Sequence, residues 1–265
     1  MKHLSLETDK ACLHYRKYGK GSSVLICFHG YGQDHDVYRE LEELYGNKYT
    51  IYSFDLFYHG QSFWHDKKQP LKKSDWSEIM NLFFDMQKIN RFSLVGYSMG
   101  SRFALATCDA FAQRTDQLIL LAPDGIKRRF LYWLMTSFSS TRYMLRVVVT
   151  NPKPYLWLMN LLLALRLINR GVTKFSETQM KTRAMRRRVY YSWVIFRKLF
   201  ISPRITAEKI KHNNVTLKIY MGDFDKVIAL SQVKPLLKFF PNSLRTIPVG
   251  HTHLLKTWIH TYGAL

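Results

Sequence analysis

The pentapeptide Gly96-Tyr97-Ser98-Met99-Gly100 separates an apolar run, Phe92-Ser93-Leu94-Val95, from a helix-like stretch over residues 101–112. A serine in G-x-S-x-G between a strand and a helix sits on a turn so tight that only glycine fits at the flanks. Its own backbone is then held in a strained conformation that lifts Oγ clear of the sheet. No other feature constrains the fold as much, because it demands a buried strand that ends in a helix folded back upon it. Ser98 becomes a candidate nucleophile, with an ordinary turn serine as the plainer reading.

A serine nucleophile needs a base, and the base needs an acid to orient it. The strand-like run over residues 215–221 ends in Gly222-Asp223-Phe224-Asp225, a loop with two carboxylates, either of which can fill the second role or simply satisfy turn N–H groups. A further strand-like run over residues 244–249 ends in Gly250-His251-Thr252-His253. His251, directly after the glycine at the strand end, is the candidate base, and His253 reads as structural. The order along the chain is Ser, Asp, His.

Strand-like runs at 23–28, 49–55, 92–97, 117–122, 215–221 and 244–249 alternate with helix-like segments, and several are continuously apolar, as strands buried on both faces must be. The segment 4–18 alternates and has no intervening helix, which predicts an antiparallel hairpin at the sheet edge. With 265 residues and 47% hydrophobic side chains, the chain can bury a large core, and disorder is excluded. The alternation stops between Pro123 and Pro203, where the residues read as helices broken at Pro152, Pro154 and Gly171. The predicted organisation is a core of residues 1–123 and 205–265, with a helical cap of residues 124–204 inserted after the sixth strand.

Taken together, these motifs resemble the α/β-hydrolase superfamily over nearly the whole chain. Phe28-His29-Gly30-Tyr31-Gly32 follows an apolar run as the family's oxyanion loop does, and Asp55-Leu56-Phe57-Tyr58-His59-Gly60-Gln61-Ser62 is similar to its D-L-x-G-H-G-x-S segment. The departure is Tyr58, where the family usually carries glycine. The resemblance implies an α/β fold with a mostly parallel central sheet, helices on both faces and an inserted helical cap that acts as a lid. It implies Asp225 rather than Asp223 as the acid, by the G-x-x-D pattern, with Asp124 as a position some members use. It also implies that the backbone N–H groups of Tyr31 and Met99 receive the oxyanion, and His29, Gly30, Tyr97 and Arg102 are the neighbouring substrate-binding candidates. His59 reads as a loop hydrogen-bonder.

Charge is the second informative feature. Residues 126–204 hold 17 Lys and Arg against one acidic residue, Glu177, a net of +16 out of +21 for the chain. Such a cap generates a strong positive potential and fits an anionic partner better than a merely solvated face, on which both signs mix. The stretch from Glu177 to Phe200, read as one helix, would gather Met185, Val189, Trp193, Phe196 and Phe200 against the core and turn Arg183, Arg187 and Lys198 outward. An anionic membrane surface is one candidate partner, with residues 155–165 able to embed but too short to span. An acidic acyl carrier or coenzyme A thioester is another, as for the family's pimeloyl-carrier-protein methyl esterase. Nucleic acid has only the high pI in its favour and no binding module.

The expected activity is cleavage of a carboxylic ester or thioester, a small-molecule acyl substrate, through an acyl-enzyme intermediate. One alternative follows from Tyr97-Ser98-Met99-Gly100-Ser101-Arg102, which is similar to the nucleophile segment of the menaquinone-pathway lyase that forms a cyclohexadiene carboxylate. There arginines clasp an acidic substrate, and Arg102 with cap arginines would do so here. A non-catalytic binding protein on the same fold is the other alternative. No metal-ligand cluster or phosphate-cradling glycine loop is legible, so no cofactor and no metal are called for. Cys12, Cys27 and Cys108 are few, widely spaced and read as reduced core residues. The charged opening residues lack an apolar signal core, which predicts a cytoplasmic protein, with a peripheral membrane location as the variant.

Overall fold

The computed structural model describes residues 4–168, 173 and 177–261. The chain divides into two compact units, Met1–Asp66 with Lys72–Lys127 and Leu199–Leu265, and Lys67–Leu71 with Arg128–Lys198.

The first unit is built on a nine-stranded sheet. Its strands are β1 (Leu4–Glu7), β2 (Ala11–Tyr18), β3 (Ser23–Phe28), β4 (Tyr49–Phe54), β5 (Phe63–Trp64), β6 (Phe92–Tyr97), β7 (Thr115–Leu121), β8 (Thr216–Gly222) and β9 (Leu244–Ile247). The order is β1-β2-β4-β3-β6-β7-β8-β9, with β5 paired to β2. β1 and β2 pair antiparallel at the edge, β2 runs antiparallel to β4, and every pair from β4 through β9 is parallel. The two-residue β5 was not legible in the sequence, so the strand before the helical unit is seventh in chain order rather than sixth.

Parallel strands flanked by helices bury both faces, and all six residues of β6 are buried accordingly. Helices α1 (Glu40–Tyr45), α2 (Lys73–Met86) and α3 (Gly100–Ala110) follow β3, β5 and β6. An aromatic cluster ties α2 and α3 to the sheet. Phe28 stacks on Phe54 at 5.6 Å between ring centroids, Trp76 meets Phe103 edge-on at 5.0 Å, and the Trp76 Nε1–H is satisfied by Thr107 Oγ1 at 2.9 Å. Because β3 lies between β4 and β6, the winding reverses there, and the carboxyl ends of β3 and β6 open the crevice where sheets of this kind bind ligands.

The second unit contains α4 (Phe130–Ser137), α5 (Ser139–Thr150), α6 (Pro152–Ala164) and α7 (Arg183–Ile195). Its own core gathers Leu145, Val149, Tyr155, Met180 and Val194, with Val189 and Tyr190 packed against them. The expected cap limits shift inward. Asp124 pairs with Arg102, Gly125 lies against the same side chain, and Phe200 stacks on its guanidinium at 4.6 Å, so these residues belong to the first unit. Conversely, Leu71 donates its N–H to the Ile195 carbonyl at 3.0 Å, which draws residues 67–71 into the second unit.

The single helix expected from Glu177 to Phe200 is shorter. The Thr182 hydroxyl accepts the Met185 N–H and caps the start of α7, and a 3-10 turn, Phe196–Lys198, follows its end. The buried face of α7 is formed by Ser192, Val194 and Ile195, while Trp193 stays 36% exposed. Pro152 and Pro154 fall in the first turn of α6, where proline is tolerated. Gly171, expected to break two helices, lies outside the described residues.

Candidate active site

Ser98 stands between β6 and α3 with φ of 50°, a left-handed backbone that costs a residue with a side chain about 1–2 kcal/mol. Its neighbours hold it there. The Ser98 N–H donates to the Leu121 carbonyl at 2.8 Å, and its own carbonyl accepts the N–H groups of Ser101 at 3.0 Å and Asp124 at 3.1 Å. The flanking glycines are required by close approach. A Cβ on Gly100 would lie 2.1 Å from the Phe28 carbonyl oxygen, and one on Gly96 would lie 2.7 Å from Ser101 Cα. Ser101 fastens the helix to the strand end by donating its hydroxyl to the Gly96 carbonyl at 2.9 Å.

From the carboxyl ends of β8 and β9 come the other two groups. Asp223 donates its N–H to Ile247 O and Phe224 to Val249 O, so the loop after β8 is zipped to the segment after β9. Gly222 permits this, since a Cβ there would lie 2.4 Å from Val249 O. The zipper turns Asp223 to solvent and brings Asp225 inward. Asp225 Oδ1 accepts the N–H groups of Val227 and Ile228, both at 2.8 Å, and Oδ2 accepts the Nδ1–H of His251 at 2.6 Å. The Nε2 of His251 then accepts the Ser98 hydroxyl at 3.0 Å. The histidine and aspartate side chains are only 6% and 1% exposed, so the pair is shielded from water. His253 points to solvent, and Asp124 is engaged by Arg102 rather than by a histidine.

Several residues expected to face a substrate are used otherwise. His29 is wholly buried; its Nδ1–H donates to the Gly30 carbonyl at 2.7 Å and its Nε2 accepts the Leu56 N–H at 3.0 Å. Burial lowers its pKa to about 4, against the opposing pull of the Gly30 carbonyl and Asp55. The ring is a neutral brace between the loop after β3 and the loop after β4. Gly30 keeps room for Tyr97, whose ring a Cβ would touch at 2.8 Å, and its N–H donates to Gln33 Oε1 at 2.9 Å. The buried Tyr97 ring in turn lies against His251, with its hydroxyl on the His251 carbonyl at 2.6 Å. Arg102 is 7% exposed and directs Nε and Nη2 to Asp124 Oδ2 at 2.9 and 2.6 Å. Its charge is matched inside the protein. Neither Gln33 nor the Tyr97–His251 contact was legible in the sequence, since both depend on which loops the sheet brings together.

Tyr31 follows Gly30 in the loop after β3, with its ring edge-on to His59 at 5.1 Å. Met99 precedes the first turn of α3, where backbone N–H groups have no partner within the helix. Tyr58 takes up φ of 67°, the conformation that glycine adopts freely, so the loop keeps its left-handed turn with a tyrosine in place. Beside it lies a buried knot. Asp55 Oδ1 accepts the N–H and Nδ1–H of His35, both at 2.8 Å, and Oδ2 accepts His14 Nδ1–H and Gln61 N–H, both at 2.9 Å. Burial would raise the Asp55 carboxyl, but these bonds, His35 first, hold it well below the usual range. His14, His35 and Asp55 are grouped closely enough to hold a metal ion, and here both imidazoles bond the carboxylate through Nδ1. Cys12, Cys27 and Cys108 are free and buried, and burial pushes the Cys12 and Cys108 thiols up to about 12.

The chain belongs to the α/β hydrolase fold family, whose pattern it matches over residues 23–256. Among curated relatives, it is 27% identical to an uncharacterized protein of Mycobacterium tuberculosis over 115 residues, which are 43% of this chain and 33% of the relative. A protein of Mycoplasma genitalium whose name proposes an esterase or lipase is 28% identical over 105 residues, 39% of each chain. The matched part thus spans about a third of the length of the mycobacterial relative. Among solved structures, a bacterial membrane phospholipase A superposes with a TM-score of 0.67 at 17% identity, over 99% of this chain and 84% of that one. At that identity the likeness is one of fold.

Proposed function

We propose that this chain is a serine hydrolase that cleaves a carboxylic ester or thioester through an acyl-enzyme. One observation carries the reading: the hydrogen-bonded line Asp225–His251–Ser98 ends on a serine held at positive φ. In this reading the Ser98 oxygen attacks the acyl carbonyl carbon as its proton passes to His251 Nε2. Asp225 keeps the other ring proton on Nδ1 and stabilises the imidazolium. The carbonyl oxygen becomes an oxyanion, received by the N–H groups of Met99 and Tyr31, each worth about 3 kcal/mol, with the positive end of α3 beside it. Collapse expels the alcohol or thiol, which takes the proton from His251. Water then repeats the sequence on the acyl-serine and frees the acid.

The name of the Mycoplasma genitalium relative is in line with this chemistry. The basic second unit suits a substrate presented by an anionic carrier or surface. Arg102, committed to Asp124, weighs against a lyase that would clasp an acidic substrate with it.

The test is covalent labelling by a fluorophosphonate, followed by turnover of p-nitrophenyl esters and acyl thioesters of increasing chain length. Ser98→Ala should lose the label while remaining folded. Undiminished labelling of that variant would defeat the reading.

A further inference from the structure

We propose that the helical unit docks on an anionic phospholipid bilayer, with a cleft of three arginines receiving a lipid phosphate. This deepens the reading of the basic unit as the part that meets an anionic partner, and it does not depend on the chemistry of Ser98.

Between α5 and α7 lies a cleft of about 140 Å³ lined by Arg146, Thr150, Arg183, Arg187, Tyr190 and Tyr191. Arg146 and Thr150 lie one turn apart on one wall, and Arg183 and Arg187 one turn apart on the other. All three arginines are exposed, and among the described residues none of them meets a carboxylate. Arg183 and Arg187, like charges one turn apart, repel, and an anion between the walls would relieve that repulsion. A tetrahedral phosphate meets that need, because guanidinium forks bond its oxygens in pairs. The volume admits such a group.

Exposed apolar side chains of the same unit select the source of the phosphate. Tyr143 and Val147, on the same side of α5 as Arg146 and Thr150, are 68% and 39% exposed. On α6, Leu156, Trp157 and Leu161 are exposed as well, Trp157 by 67%, and Leu165 and Leu167 beyond its end by 59% and 64%. A soluble phosphate carrier leaves these apolar groups in water. A bilayer takes up both features, with aromatic and leucine side chains at the headgroup level and arginines on lipid phosphate. No helix among the described residues is long and apolar enough to cross a membrane. At 13 residues α6 would lie in the plane of the interface.

The experiment is flotation of the full chain with phosphatidylcholine vesicles, with and without phosphatidylglycerol, at low and high salt. We expect binding to the anionic vesicles alone, weakened by salt. The triple variant Arg146→Gln, Arg183→Gln, Arg187→Gln should bind about a hundredfold more weakly. A control variant, Lys20→Gln, Lys238→Gln, Lys256→Gln, removes equal charge from exposed positions of the first unit and should lose about tenfold or less. Replacing Trp157 and Leu161 by Ser should weaken binding that persists at high salt. The proposal is overturned if anionic vesicles are not bound, or if the two charge variants lose equally. It is also overturned if coenzyme A or a holo acyl carrier protein binds the arginines while vesicles do not. Fluorophosphonate labelling of Ser98 in each variant reports that the fold is intact. Vesicle binding by a native chain that takes no label would sink the hydrolase reading and leave the docking standing.

Discussion

Tyr97 donates its hydroxyl to the main-chain carbonyl of His251 at 2.6 Å and lays its ring beside the imidazole, 5.3 Å between centroids and 29° from parallel. Tyr97, the residue before Ser98, therefore positions His251, although 154 residues separate the two. Burial, and after it the Asp225 charge, raises the Tyr97 pKa, so the hydroxyl remains a donor. Tyr97→Phe keeps the ring and leaves the buried carbonyl without its partner. We expect kcat to fall about 3- to 10-fold with KM nearly constant, and stability to drop by about 1 kcal/mol. Ester kinetics and urea unfolding on the same preparation check this. A change confined to KM would instead mark Tyr97 as a substrate contact.

Ser98 stores backbone strain, and glycine should release it. Ser98→Gly and Ser98→Ala should both be inactive, but the glycine variant should be about 0.5–1 kcal/mol more stable than the alanine variant. Denaturant midpoints of the two proteins decide the matter. Equal midpoints would mean that the turn carries no such strain.

Asp225→Asn keeps the size of the side chain but presents His251 with an amide that favours the wrong tautomer. Ester turnover should fall by about 10³- to 10⁴-fold, whereas Asp223→Asn should stay within about threefold. If the two variants exchange these outcomes, the role given to Asp225 is wrong.

The braced His29 makes stability pH-dependent. Its pKa is about 4 in the fold against 6.5 for the free group, so between these values the unfolded chain binds a proton that the native chain refuses. Its contribution is fully present at neutral pH and is lost as pH falls, by about 2 kcal/mol between pH 6.5 and pH 5. His35, raised by Asp55 against the effect of burial, acts with the opposite sign. Urea unfolding at neutral pH and at pH 5 should therefore show a smaller acid loss in His29→Gln than in the native chain. Parallel losses in the two proteins would refute the assignment.

Much of the first unit was legible because its signals are local. An apolar strand, a glycine-flanked serine and a helix adjoin in the chain, and the elbow at Ser98 needs nothing distant to be recognised. The hairpin of β1 and β2 was legible for the same reason, although the first five residues of β2 are all buried rather than alternating. The second unit was less legible. Helical periodicity over Glu177 to Phe200 did not reveal that Thr182 caps α7, nor that Val194 and Ile195 would be buried while Trp193 stays out.

Arg102 shows the limit of reading charge from a sequence. An arginine beside an elbow can clasp a substrate or neutralise a carboxylate, and the choice depends on Asp124, placed next to it only once β7 lies against β6. By itself the sequence determined the strand-turn-helix at Ser98, the order of Ser, Asp and His, and the concentration of positive charge between residues 126 and 204, because each is a property of neighbours along the chain. The G-x-x-D pattern already favoured Asp225, but only the tertiary structure decided that Asp223 turns to solvent, that His29 and Tyr97 brace the site from within, and that three arginines of two helices share one cleft. Those outcomes depend on register and loop zippering between strand ends far apart in sequence, where a shift of one residue turns a side chain from the interior to the solvent.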